Sequence, residues 1–387
     1  MIPATKRPLD RKRERNERKT RMKKALKIIK IIFLTTIGIL LLVFIVLIIN
    51  SPGKLEPLKN SDGNIIAGSM SEKGSVEIGG IRQGYFIRAE NPENPVMLFL
   101  HGGPGSPGLP IIIPFETAER LEKYFTVVYW EQRGAGMSFC SSIDPSTMTV
   151  EQMLEDTREM TEYLRKRFNQ EKIFLIGHSW GSYLGIRTIE KYPELYRAFI
   201  GVGQLTNQSE SERLAYDFML RHAKKINDRS AIRSLKKFDR NSPDFPQRDY
   251  IMTARTKLME KYRIGVMRDV SAIDLLIGGL FFKGYTLSEK INYARGSLFT
   301  IEHLLDIVMR ADLFERPATF QVPIYILHGI YDYKTSYTLA RKYYEIIEAP
   351  KKAFFSFENS AHSPNTEEMG KFVQIVRNIA LEVKEKE

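Results

Sequence analysis

The 387-residue sequence predicts an α/β fold: a mostly parallel sheet with helices on both faces, interrupted by an inserted helical cap and preceded by one N-terminal transmembrane helix. Three observations predict it. Short apolar runs of strand length alternate with helical patterns beyond residue 66. That alternation stops between residues 205 and 319, where several helices and no clear strand are legible. Residues 31–49, IIFLTTIGILLLVFIVLII, contain nineteen consecutive uncharged residues.

The N-terminal elements follow from charge and length. Residues 1–30 hold thirteen Lys and Arg against three Asp and Glu, a net +10 that leaves +2 for the other 357 residues. A basic tail leading into a polar linker would suit nucleic acid. Here it leads into the apolar run, so no nucleic-acid partner is expected. A helix of nineteen residues spans about 28 Å, close to the hydrocarbon thickness of a bilayer. The run is longer than the apolar core of a signal peptide, which ends at a small-x-small cleavage site, and is followed by NSPGKLEP. Residues 31–49 are therefore expected to be an uncleaved single-pass anchor. The positive-inside rule puts the basic tail in the cytoplasm and the rest of the chain outside the cell membrane. Residues 50–66 read as a linker. The one cysteine, Cys140, has no disulfide or metal-ligand partner and reads as a small buried or semi-buried residue.

The remainder divides into a first core part (67–204), the cap (205–319) and a second core part (320–387). GYFIRA (84–89), VMLFLH (96–101), FTVVYW (125–130), KIFLIG (172–177), AFIGVG (198–203), PIYILHG (323–329) and AFFSFE (353–358) are predicted strands. Their lack of alternation indicates burial on both faces, the habit of parallel strands. Between them, TVEQMLEDTREMTEYLRKRF places Thr149 and Gln152 at capping-box spacing and Met153, Leu154, Met160 and Leu164 at helical intervals. Further helical patterns follow Ser179 and Lys334 and fill the chain from Thr366.

One stretch carries nucleophile chemistry. IGHSWGS places Ser179 between Gly177 and Gly181, after an apolar strand and before a helix. A Gly-x-Ser-x-Gly string arises by chance in roughly one chain of this length in eight at average usage, so the rest of the machinery must be found elsewhere. A serine hydroxyl needs a base, an acid that orients the base, and donors for a developing oxyanion. Of six histidines only His362, in ENSAHSPN, follows the last predicted strand on a loop, although a lone histidine is more often structural. Asp332 follows a buried-looking strand in ILHGIYDYKT; capping the helix near Lys334 is its alternative role. The backbone N–H of Trp180, with Gly102 and Gly103 in FLHGGPGSPG, would supply the oxyanion donors. No Gly-Lys-Ser/Thr follows that glycine loop, which excludes a P-loop.

The order HGGPG, WEQRGAGMS, GHSWGS, GIYD and SAH resembles the α/β-hydrolase superfamily, and within it the proline iminopeptidase branch of serine peptidases, over roughly residues 68–380. The resemblance implies Ser179 as nucleophile, Asp332 as acid and His362 as base, the family's chain order. It implies Gly102, Gly103 and Trp180 as the oxyanion region. The family usually has Asp where this chain has Glu131, and Glu131 and Arg133 are expected to brace the active-site loops. The family's cap acids, which bind the substrate's ammonium group, have no alignable counterpart. By charge Glu210, Glu212 and Asp217 are candidates, with solvated helix surface as their alternative; Phe281, Phe282, Tyr285 and Phe299 are candidates for the apolar side. The expected protein is a membrane-anchored serine hydrolase acting through an acyl-enzyme on a small molecule or short peptide, without metal or organic cofactor. An aminopeptidase releasing an N-terminal residue, commonly proline, comes first. An esterase or amidase for small lipophilic acyl compounds is second, and a non-catalytic binding protein on the same scaffold is third.

Overall fold

The computed structural model describes residues 8–117 and 119–384. All seven apolar runs become strands of one eight-stranded sheet: β2 (Ile81–Ala89), β3 (Val96–Leu100), β4 (Thr126–Trp130), β5 (Ile173–His178), β6 (Tyr196–Val202), β7 (Ile324–Gly329) and β8 (Lys352–Phe357), with β1 (Met70–Ile78) added at the edge. The order is β1-β2-β4-β3-β5-β6-β7-β8. β2 runs antiparallel to both neighbours, and β3 to β8 are mutually parallel. Every residue of β3, β4 and β7 is buried, as expected for strands covered on both faces.

Strand β1 is not legible as an apolar run. Its sequence MSEKGSVEI mixes charges with few apolar residues, and it is only half-buried because one side of it has no neighbouring strand. The signal that marks it is the pair Gly79-Gly80, at φ 56° and 74°, closing a hairpin in which Ile78 faces Ile81. Two consecutive left-handed residues make a two-residue hairpin turn that glycine adopts without strain.

Helices cover both faces. On one lie Val150–Arg167, Trp180–Lys191 and Tyr337–Ile346, sharing a core with Leu98, Leu175 and Ile326. On the other, Met369–Lys384 packs Phe372, Val376 and Ile379 against Met97, Phe174 and Ile200. The Thr149 hydroxyl caps the Gln152 N–H at 3.1 Å, but the reciprocal half of the predicted box is absent: the Gln152 amide reaches Asp156 instead, at 2.8 Å.

Between β6 and β7 the described residues form helices and no strand, the longest being Gln208–Lys225, Ala272–Phe281 and Leu287–Met309. Ser271 and Thr286 close full capping boxes on the last two. The helix Gln208–Lys225 packs Tyr216 and Met219 with Phe245, Tyr250 and Leu258 in a core separate from the two beside the sheet. The N-terminal helix runs Pro8–Ile49, so the described part of the predicted tail and the apolar run are one helix. Among the described residues it is the one helix long and apolar enough to cross a membrane, over Arg18–Ile49. Directly after it, Gly53 and Lys54 donate backbone hydrogen bonds to Tyr285 and Lys283 at 3.2 and 3.1 Å. Cys140 is exposed rather than buried.

Candidate active site

The turn from β5 into the helix Trp180–Lys191 is tight. Ser179 sits at φ 55°, ψ −120°, a left-handed conformation for a non-glycine residue. The neighbouring glycines are demanded by space. A Cβ on Gly177 would lie 2.1 Å from the Gly181 carbonyl oxygen, and one on Gly181 would lie 2.1 Å from that of Leu100. The strain at Ser179, of order 1–3 kcal/mol, is thus held by close packing of strand against helix.

His362, on the loop after β8, is oriented by Asp332 after β7: Nδ1 and Oδ2 are 2.8 Å apart. Asp332 is enclosed by donors. Lys334 N and Thr335 N donate to Oδ1 at 2.8 and 3.1 Å, and the Thr335 hydroxyl donates to Oδ2 at 2.8 Å. Sequence reasoning missed a further partner, His328, whose Nε2 is 2.9 Å from Asp332 Oδ2. Its Nδ1 accepts from Gln204 N, which leaves the proton on Nε2 facing the carboxylate. Burial alone would push Asp332 up, yet His362 and His328 hold it well below the ordinary carboxylate range. His362 is pushed down by burial, with Asp332 opposing, which favours the neutral ring that a general base requires. Its Nε2 is buried and has no hydrogen-bond partner among the described residues.

Ser179, His362, Gly102 and Gly103 line one cavity of about 140 Å³, together with Lys334, Asn365 and aliphatic residues such as Ile112 and Leu275. A Cβ on Gly102 would come 3.1 Å from Ser179 Cβ, so the glycine loop lies against the serine. Among the described residues nothing takes up the backbone N–H of Gly102, Gly103 or Trp180. Gln132 positions this loop: its amide donates to the His101 carbonyl at 3.0 Å and accepts the Trp180 indole N–H at 3.0 Å. Ser297, from the helix Leu287–Met309, donates to the Gly105 carbonyl at 2.6 Å.

Arg133 reaches away from the glycine loop and the elbow that it is expected to brace. It makes a bidentate pair with Asp156 at 2.7 and 2.9 Å and donates to the Gly79 carbonyl at 2.7 Å, which fixes the β1–β2 turn. Glu131 accepts from Met137 N and from the Tyr285 hydroxyl. Burial pushes Glu131 up to about 7 in spite of both donors. From an unfolded value near 4.5 up to that pH, the folded protein keeps a proton that the unfolded chain has lost. Stability therefore falls as pH rises through the window and levels off above it. Glu131→Gln, neutral throughout, should flatten this slope, which amounts to about 3 kcal/mol at about 1.36 kcal/mol per pKa unit. Urea midpoints measured from pH 5 to pH 8 check it; equal slopes in both proteins would show that Glu131 is not the group responsible.

The structure does not bring the cap candidates to the cavity. Glu212 is buried in a bidentate pair with Arg255, at 2.6 and 3.0 Å, and also accepts from Gln208 at 2.8 Å. Asp217 pairs with Arg240 at 2.6 Å, and Glu210 occupies the first turn of the helix Gln208–Lys225. Phe281 and Phe282 line a different groove. Tyr285 packs between Phe86 and Phe282, and Phe299 lies against Phe139 and His303. Charge alone selects the acids, whereas their arginine partners lie 23 and 43 residues away in the chain. The one charged side chain lining the cavity among the described residues is Lys334, which burial and then Arg255 push down to about 8.

Comparison with known proteins agrees with this architecture. A family model described as the alpha/beta hydrolase fold matches residues 95–253. The Bacillus subtilis protein named "Probable aminopeptidase YbaC" is 32% identical over 298 residues, covering 77% of this chain and 92% of that one. The proline iminopeptidase of Saccharolobus solfataricus is 32% identical over 129 residues, 33% of this chain and 39% of its own. Among solved structures, the proline iminopeptidase of Mycobacterium smegmatis superposes with a TM-score of 0.58 at 14% identity, covering 81% of this chain and 98% of that one, a likeness of fold.

Proposed function

We propose that this chain, which belongs to the α/β-hydrolase fold family, is a membrane-anchored serine hydrolase that forms an acyl-enzyme on Ser179 and removes small N-terminal residues from peptides. The observation that carries the chemistry is the His362 ring, held at Nδ1 by Asp332 with an unpartnered Nε2, lining the same cavity as Ser179. His362 Nε2 takes the serine proton as Oγ attacks the acyl carbon. The carbonyl oxygen becomes an oxyanion facing the N–H groups of Gly102, Gly103 and Trp180, and the leaving amine departs with that proton. Water then repeats the sequence on the acyl-enzyme, with His362 again as base. Asp332 keeps the ring in the right tautomer and stabilises its transient charge. The aminopeptidase reading is supported by the Bacillus relative, aligned over most of both chains. The apolar helix supports the anchor, and the basic residues before it favour a catalytic domain outside the membrane. Protease added to intact cells should then digest the domain beyond Ser51; complete protection would reverse the topology.

A second reading, amidase or esterase, is favoured by the cavity's charge. No carboxylate among the described residues lines it, and Lys334 does. A free ammonium would gain no ion pair there. The decisive comparison is kcat/KM for prolyl-arylamide, its N-acetylated form and a short-chain nitrophenyl ester. The expected result is cleavage of prolyl-arylamide, with acetylation slowing it less than the roughly hundredfold that loss of about 3 kcal/mol of pairing would produce. Preference for the acetylated amide, or turnover of the ester alone, would transfer the assignment to the second reading.

A further inference from the structure

The helix Ala272–Phe281 has an apolar outer side. Ile273, Ile277 and Phe281 are 67%, 46% and 49% exposed, and with Leu280 they recur at the spacing of one helical face. The helix's one acidic side chain, Asp274, is drawn back onto the Ser271 cap. A stripe of this size facing water on a folded domain marks a contact surface.

Its position in the chain identifies what it contacts. Asn50 is the first residue after the apolar helix, and the Lys290 ammonium donates to the Asn50 carbonyl at 2.6 Å and also to the carbonyl of Leu280. One ammonium group therefore joins the end of the span to the last turn of Ala272–Phe281. Pro52 pairs with Thr286, and Lys283 with Glu56, in the same place. The headgroup layer adds roughly 5–7 Å beyond the hydrocarbon on each side of a bilayer. A carbonyl reached by the same ammonium as Asn50 lies within that layer.

We propose that the helix Ala272–Phe281 is a second membrane contact, lying in the headgroup layer of the leaflet from which the chain emerges, with Ile273, Ile277, Leu280 and Phe281 among the acyl chains. This rests on the anchor reading above. Amphipathic helices bind bilayers in this way, apolar side down with lysines at the headgroups, and Lys54 and Lys283 flank this one. Beside the helix lies a groove of about 450 Å³ whose lining combines Leu55, Ile277 and Phe281 with charged side chains such as Arg88, Glu116 and Lys283. Leu275, on the same helix, lines the catalytic cavity. The site is thus walled by an element resting on the membrane, and substrates dissolved in the leaflet lie next to it.

The test uses the full chain in lipid nanodiscs. With the single native cysteine removed as Cys140→Ser, an environment-sensitive fluorophore is attached at Ile277→Cys, at Val43→Cys in the apolar helix, or at Ile226→Cys, an exposed position outside the stripe. Doxyl-labelled lipids should quench the probe at positions 277 and 43 and leave it unquenched at 226, with blue-shifted emission at the first two. Quenching at 43 with a water-like, unquenched probe at 277 would overturn the proposal and leave the anchor standing. An unquenched probe at 43 would overturn the anchor and the proposal together.

Discussion

Ser179→Ala is expected to lower kcat by on the order of 10⁵ to 10⁶, with the thermal midpoint of the domain little changed. In the proposed mechanism the oxygen removed is the attacking atom, and among the described residues Ser179 is the one hydroxyl lining the cavity that stands at the elbow. On the proposed mechanism Ser179 and His362 act as one nucleophilic unit, so His362→Ala should cost a similar factor, and the double variant hardly more than either alone. A fluorophosphonate probe should label the wild type rapidly, His362→Ala slowly and Ser179→Ala not at all. Full turnover in Ser179→Ala would show that the strained turn is only structural, the outcome the non-catalytic reading requires.

The largest effect on stability is expected from Asp156→Ala. Arg133 is 2% exposed and Asp156 is fully buried, and the carboxylate also accepts from Gln83 at 2.9 Å and Gln152 at 2.8 Å. Truncating it leaves the guanidinium buried with the Gly79 carbonyl as its main partner, takes the acceptor of the Gln152 amide and leaves the Gln83 amide with the Ile78 carbonyl alone. Such a loss costs about 3–5 kcal/mol, most of it the penalty of the stranded charge and not the worth of the pair. Replacing both partners, as Arg133→Met with Asp156→Leu, should therefore be less damaging than Asp156→Ala alone. Urea denaturation of the three proteins measures this; a loss below about 1 kcal/mol in Asp156→Ala would mean that water reaches the site.

Much of the sheet was legible because parallel strands buried on both faces write themselves as apolar runs, as in VMLFL and FTVVY. β1 escaped because an edge strand owes its place to backbone pairing with β2, which its side chains do not record; only Gly79-Gly80 marks it. Ser179, Asp332 and His362 could be nominated together because each follows the C-terminal end of a strand, where position in the chain maps onto position in the sheet. The cap offers no such map. Whether Glu212 faces substrate or Arg255 depends on how helices without a common sheet pack, and no local pattern encodes that. His328 shows the same limit at short range. It lies four residues before Asp332 at the end of an otherwise apolar run, and its role emerges only from the 2.9 Å contact across the strand end.

The loops that carry Ser179 and His362 are fastened to each other. His178, immediately before the serine, donates from Nε2 to the His362 carbonyl at 3.0 Å, and the two rings lie 4.8 Å apart. Burial pushes His178 down to about 3, so above that pH the ring is neutral and the donation to the carbonyl places its one proton on Nε2. Ser179 and His362, the proposed nucleophile and base, thus belong to a single cooperative unit. Heat or denaturant has no cheap way to separate them while the sheet remains intact, and loss of catalysis should trace the same curve as loss of tertiary structure, without an earlier inactive yet folded stage.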